Sequence, residues 1–294
     1  MNILLTGASG YIGSRLFPLL LQAGHRVYAL MRPGKNLPFS HPNLVVLHGD
    51  LLDRSSLPPL PAIDVAYYLV HSMTHDPKHF RKLEEQSCHH FLSWVETSSL
   101  RQIIYLSGLH QGTFLSEHFH SRLHVEELLS TSPIPLTTLR ASIIIGAGSA
   151  SFQIIQDLVE KLPMMVAPRW LHTRCQPIAV EDAMYYLTAV LDQPKAFHQT
   201  FEIGGPDVLT FKEMLLTYAK VRGLKRWIFT VPLLTPHLSS YWLYLVTRAN
   251  FSLARSLVES LKVESTVHRH DIQRLFPHTC LTYEEALRKA LESP

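Results

Sequence analysis

The chain has 294 residues, 27 basic against 24 acidic side chains for a formal net charge of +3, and 46% hydrophobic against 17% charged residues. That balance excludes a disordered chain, gives no basic footprint for nucleic acid, and leaves no run near the roughly 18 apolar residues of a spanning helix. Three cysteines without a C-x-x-C pair, and a first strand that begins at Asn2, predict core thiols, no zinc site, no cleaved leader and a cytoplasmic location.

The apolar run Ile3-Leu4-Leu5 predicts a buried opening strand. Thr6-Gly7-Ala8-Ser9-Gly10-Tyr11-Ile12-Gly13 follows as a glycine turn, leading into an amphipathic segment with Leu16, Phe17, Leu19, Leu20 and Leu21. Strand, glycine turn and helix in that order read as the start of a dinucleotide-binding βαβ unit. Gly7 turns the chain off the strand, Gly10 lets backbone N–H groups approach a pyrophosphate, and Gly13 lets the helix lie close on the sheet. Candidate cofactor contacts here are Thr6, Gly7, Ser9, Gly10, Tyr11, Ile12 and Gly13.

A second strand, Arg26–Met31, begins just after Gly24, a helix C-cap. A third, Leu44–Leu47, closes on Gly49-Asp50, and a fourth covers Val65–Val70. A helix over about 80–100 puts Phe80, Leu83, Ser87, Phe91, Trp94 and Val95 on one face. The fifth strand is Gln102–Leu106, followed by a helix near 121–130 and a sixth strand, Leu136–Ala141, extending into Ile143-Ile144-Ile145. Helices near 151–161, 180–191 and 210–221 come next, with Phe201-Glu202-Ile203 as a late strand of the same sheet. The expected fold is α/β, a doubly wound parallel sheet (Rossmann) with a smaller C-terminal substrate-binding subdomain. Residues 1–145 form the dinucleotide-binding core, and 146–294 an interleaved substrate-binding half that also contributes late elements to that core.

Four ordered segments resemble the extended or atypical NAD(P)-binding branch of the short-chain dehydrogenase/reductase superfamily, and within it the NmrA-like and epimerase-like members. They are Thr6-Gly7-x-x-Gly10-x-x-Gly13, Gly49-Asp50-Leu51, Pro177-Ile178-Ala179-Val180-Glu181-Asp182, and Phe201-Glu202-Ile203-Gly204-Gly205-Pro206. The resemblance implies a nicotinamide dinucleotide, with Asp50 and Leu51 near its adenine and the backbone at Val70 beside a ribose. The second strand ends Met31-Arg32-Pro33-Gly34-Lys35, with two cations and no carboxylate. Arg32 is therefore the candidate for the 2′-phosphate of NADP, which is expected over NAD, against a plain reading as a solvated loop cation.

The resemblance also implies a tyrosine with a lysine four residues later, and this chain departs from it. The matching positions are His118 and Arg122. Arg122 can hold ribose hydroxyls but cannot shuttle a proton, whereas His118 can. Ser107, closing the fifth strand, resembles the serine that orients a substrate oxygen, or is simply a turn serine. His71 either lines the cleft or is solvated, and Pro77 argues against a metal-binding helix through His71, His75 and His79. Arg169 and Arg174 are ligand cations or surface ones, and the apolar 233–261 region is core, dimer contact, lipophilic pocket or peripheral membrane contact. The expected activity is hydride transfer to or from a small, apolar substrate. The alternative is a non-catalytic NADP-binding redox sensor or assembly factor.

Overall fold

In the computed structural model, which describes residues 1–71, 80–111, 117–231 and 262–292, Ile3, Leu4 and Leu5 are fully buried in β1 (Asn2–Leu5). Burial on both faces is what a central parallel strand requires, and it explains the unbroken apolar run. β2 (Arg26–Met31) is buried after its first residue, while β3 (Leu44–His48), at the sheet edge, is only half-buried. β4 (Val65–Tyr68) and β5 (Gln102–Gly108) are buried almost throughout, and β6 (Leu136–Ala141) follows. Together with a late strand, Gln199–Ile203, they form one seven-stranded sheet in the order late strand–β6–β5–β4–β1–β2–β3. β1 to β5 run parallel, with Ile3 opposite both Val27 and Val65. The strand order reverses at β1, between β2 and β4, and the crevice beyond the carboxyl ends at such a reversal is where open α/β sheets bind ligands.

The chain divides into two compact units, the first comprising Met1–Ser107, Ser121–Arg140 and Met184–Phe201. Buried polar side chains tie that last stretch to the sheet. Gln102 donates to Thr137 Oγ1 (2.7 Å) and to the Val190 carbonyl (3.0 Å), and accepts from the Asp192 amide (2.7 Å). Tyr67 donates to the Leu187 carbonyl at 2.8 Å. Among the described residues this unit holds α1 (Gly13–Gln22), α2 (Phe80–Val95), most of α3 (Glu117–Ser130) and most of the helix Val180–Ala189. α1 buries Leu16, Phe17, Leu20 and Leu21, and Leu19, expected on the same stripe, is exposed.

The second unit comprises Gly108–His120, Ala141–Ala183 and Glu202–Pro294. Its core joins Phe152, Ile155 and Leu158 of the helix Ala150–Lys161 to Met214 and Tyr218 of the helix Phe211–Val221 and Leu287 of the helix Tyr283–Glu292. Met164–Pro168 pairs in parallel with Trp227–Val231, burying Met165 and Ile228 on one side. The expected extension of the sixth strand through Ile143–Ile145 does not form. β6 ends at Ala141, and Ile144–Ile145 pairs instead with Ile178–Ala179, because the Ile143 carbonyl accepts from the Ile178 amide at 2.9 Å. Among the described residues no helix is long and apolar enough to cross a membrane. His75, His79 and the whole apolar 233–261 region fall outside the described residues.

Candidate functional site

A cleft of about 760 Å³ opens in the first unit, where the ends of β1, β2 and β4 meet. Gly7, Ser9, Gly10, Tyr11, Ile12 and Gly13 all line it. Gly7 has φ +72°, a conformation strained for any side chain, and a Cβ there would stand 2.5 Å from the Leu69 carbonyl oxygen. A Cβ on Gly13 would lie 2.2 Å from the Gly7 carbonyl oxygen. Glycine at 13 thus lets the turn fold back on the helix start, a tighter constraint than helix-to-sheet packing. The Gly10 amide closes the turn onto that same carbonyl at 2.9 Å.

The amides of Ile12 and Gly13 donate to no acceptor among the described residues, and no side chain caps the start of α1. A ten-residue helix therefore presents bare N–H groups and its positive end to the cleft. Thr6 is not part of the lining. Its buried hydroxyl donates to the Tyr67 carbonyl and accepts from the Leu69 amide, both at 3.1 Å, so it ties the end of β1 to the end of β4.

At the end of β2, Met31, Arg32 and Lys35 line the same cleft. Arg32 and Lys35 make no ion pair among the described residues. The Gly49 amide bonds to the Met31 carbonyl (2.9 Å), which sets Asp50 and Leu51 beside that end of β2. Asp50 Oδ1 accepts from the Leu52 amide at 2.9 Å, so this carboxylate serves its own loop.

β4 delivers Val70 and His71 to the cleft. His71 Nδ1 lies 2.5 Å from Glu84 Oε1 on α2, and Ser121 on α3 donates to the other Glu84 oxygen. Glu84 is only 5% exposed. Burial alone pushes its carboxyl up, but the bonds from His71 and Ser121 and the Arg122 charge outweigh that and hold it below the ordinary carboxylate range. His71 is held below the ordinary imidazole range, first by burial and then by the Arg122 charge, against the pull of Glu84. The pair rests as carboxylate and neutral imidazole.

Arg122 also lines the cleft, donating from Nη1 to the Leu106 carbonyl (3.0 Å). Its Nε is buried with no acceptor among the described residues. Ser107, one residue beyond Leu106, is 2% exposed and outside the lining, and its Oγ makes no well-formed hydrogen bond among the described residues, although the Tyr105 hydroxyl is beside it. His118 belongs to the first turn of α3, but its side chain lies outside the described residues. Glu84 and Ser121 were missed from the sequence. The available signal was spacing, since Glu84, Ser87, Cys88 and Phe91 share the buried face of α2.

The one cluster of metal-ligating types among the described residues, Asp182, His278 and Cys280, is a loop clamp. Asp182 accepts from His278 Nε2 (2.7 Å) and from the Leu281 amide (2.9 Å).

The family profile described as NmrA-like matches residues 1–235, most of the chain. The chain belongs to the NmrA-like family. That membership agrees with the motif resemblance. The fold of this NmrA-like protein is similar to that of a nucleoside-diphosphate-sugar epimerase from Staphylococcus aureus, with a TM-score of 0.78, 16% identity and coverage of 98% of this chain and 100% of that one. It is similar, too, to a UDP-glucose 4-epimerase from Thermotoga maritima with UDP-glucose bound, with a TM-score of 0.73, 14% identity and coverage of 99% and 98%. A UDP-glucuronic acid 4-epimerase from Bacillus cereus, in complex with UDP-glucuronic acid and NAD, has a TM-score of 0.73, 16% identity and the same coverage. An uncharacterised protein, y4nG of Sinorhizobium fredii, is 44% identical over 70 residues, 23% of this chain and only 17% of that protein's length.

Proposed function

We propose that this NmrA-like protein binds NADP(H) and transfers hydride to or from a small substrate. The observation that carries the reading is the glycine turn with the amides of Ile12 and Gly13, which find no acceptor among the described residues, on the same cleft as the cations Arg32 and Lys35, which find no ion-pair partner among them. Backbone N–H groups at a helix start suit a diphosphate, and a guanidinium without a carboxylate rival suits a 2′-phosphate. The buried Nε of Arg122, which has no acceptor among the described residues, also fits a polar ligand. NAD in the Bacillus cereus relative supports a nicotinamide dinucleotide.

In this reading the turn amides hold the diphosphate, Asp50 and Leu51 flank the adenine, and Val70 and Arg122 hold the nicotinamide-side ribose. When bound, the nicotinamide supplies or takes up the hydride. The missing tyrosine favours a second reading, a cofactor-binding sensor without turnover. Thermal shifts with NADPH and NADH, followed by NADPH consumption over a panel of aldehydes, quinones and enones, separate the two. A larger shift with NADPH plus turnover supports the oxidoreductase. A shift without turnover on any acceptor supports the sensor, and no shift with either coenzyme overturns both.

A further inference from the structure

The second unit carries a pair of parallel strands, Met164–Pro168 and Trp227–Val231, with one face in the core and the other in water. Alternation along the strands sends Met165, Ala167 and Ile228 inward, where they are buried. It sends Met164, Val166, Trp227 and Phe229 outward, and each of these is more than half exposed. The register sets Trp227 opposite Met164 and Phe229 opposite Val166, so the four side chains form one continuous apolar patch. Parallel strands are almost always covered on both faces, and a bare face of aromatic and aliphatic side chains marks a contact surface.

The surrounding charge says what covers it. Residues 161–169 and 222–231, the two strands with their flanks, contain Lys161, Arg169, Arg222, Lys225 and Arg226 and no acidic residue. Asp157 takes up Lys161, and Glu160 takes up Arg222. Lys225 and Arg169 are exposed and make no ion pair among the described residues. The Arg226 guanidinium donates to the carbonyls of Val159, Lys225 and Glu160 and meets no carboxylate among the described residues. Lys225 and Arg226 directly precede Trp227, and Arg169 directly follows Pro168, so uncompensated cations stand at both ends of the patch.

We infer that this face docks on the surface of an anionic lipid bilayer. Trp227 and Phe229 seat at the boundary of headgroups and acyl chains, and Lys225, Arg226 and Arg169 meet the lipid phosphates. The inference is independent of the cofactor reading. A flat apolar ring with one N–H donor settles at that depth, and nearby cations add attraction to anionic headgroups.

A second copy of the chain fits this face less well. Four half-exposed side chains offer on the order of 400 Å2, against about 800 Å2 per partner in a stable interface. A twofold contact would also bring the same cations face to face. The same shortfall in area weighs against an acidic protein partner. A bilayer sets no such requirement, because apolar insertion and the attraction of each cation simply add.

The test mixes the full chain with vesicles of phosphatidylcholine alone, or with about 30% phosphatidylglycerol, and reads the bound fraction by flotation. Partition to the anionic vesicles should be about tenfold higher or more, and should fall as salt rises. Trp227→Ser with Phe229→Ser should lower it about tenfold or more with unchanged circular dichroism and Tm. Lys225→Gln should lower it about fivefold. Trp227→Phe should still bind, yet lose most of the quenching of tryptophan emission by brominated lipid.

Equal binding to both vesicles, binding indifferent to the double serine variant, or unchanged quenching in Trp227→Phe overturns the proposal. Failure to bind the anionic vesicles also overturns it and leaves an acidic protein as the occupant. A wild-type dimer in light scattering that the double serine variant turns into a monomer gives the face to a second copy instead. If Trp227 is shielded from acrylamide before any vesicle is added, the chain's own residues cover the face and the proposal fails.

Discussion

Arg32 is exposed at the end of β2, lines the cleft and has no ion-pair partner among the described residues. A cation in that position has a 2′-phosphate to recognise in NADPH and only a hydroxyl in NADH. Arg32→Ala should therefore weaken NADPH about tenfold or more in calorimetric titration while changing NADH little, a tenfold change being about 1.4 kcal/mol. Equal weakening of both coenzymes would remove the basis for NADP. Gly13→Ala should do something different. Its new Cβ meets Gly7 backbone rather than a flexible side chain, so the turn must open, at a cost of about 1–3 kcal/mol, and coenzyme affinity falls for both forms. Chemical denaturation and titration of the same preparation check the two effects. These glycines and Arg32 were readable because their spacing from a short apolar strand carries their meaning. Glu84 was not, since a glutamate beside Glu85 on an amphipathic helix reads as solvated until His71 and Ser121 arrive from other elements.

Elements are joined by a second buried carboxylate. Glu126 on α3 takes both Arg140 Nε (3.1 Å) and Nη2 (2.9 Å) from β6, and Thr200 Oγ1 (3.2 Å) from the late strand. Glu126→Gln keeps the shape but loses the charge opposite a half-buried guanidinium, so stability should fall by about 1–3 kcal/mol in urea denaturation. No loss would mean that Arg140 finds solvent. The contacts of α2 and α3 with β4 also set an acid limit. Both Glu84 and His71 have folded-state values below their ordinary ones. For each group the unfolded chain binds the proton more readily, so the stability they contribute is present above the unfolded value and is lost as pH falls through the folded one. Stability should decline with acid first over the imidazole range and then over the carboxylate range, and His71→Gln should remove the first decline and shrink the second, because the bond from His71 helps to lower Glu84. The central strands were legible because both faces are buried. The pairing of Met164–Pro168 with Trp227–Val231 was not, because its outward residues Met164, Val166, Trp227 and Phe229, each at least 51% exposed, are apolar, which erases the in–out alternation that marks a strand.

At the scale of the molecule, the chain crosses between its two units several times. The sequence rhythm of strand and helix located the sheet, but not that Gln102, through Thr137, Val190 and Asp192, gathers the Met184–Phe201 stretch into the first unit. Side-chain hydrogen bonds between distant segments leave no periodic trace. The cleft, by contrast, is built within the first unit alone, which makes its occupation measurable on the whole protein. A ligand that binds only the folded state at about 100 times its Kd adds roughly 2.7 kcal/mol of stability. For a chain of this size NADPH should then raise Tm by about 5–10 °C. Hydrogen exchange should slow at the amides of Ile12 and Gly13, which lack acceptors among the described residues, more than in the paired strands Met164–Pro168 and Trp227–Val231. NADH should give a smaller rise in wild type, and in Arg32→Ala the two coenzymes should give similar rises. A rise in Tm without slower exchange at Ile12 and Gly13 would put the coenzyme somewhere other than the glycine turn, since bare amides cannot clasp a diphosphate and still exchange freely.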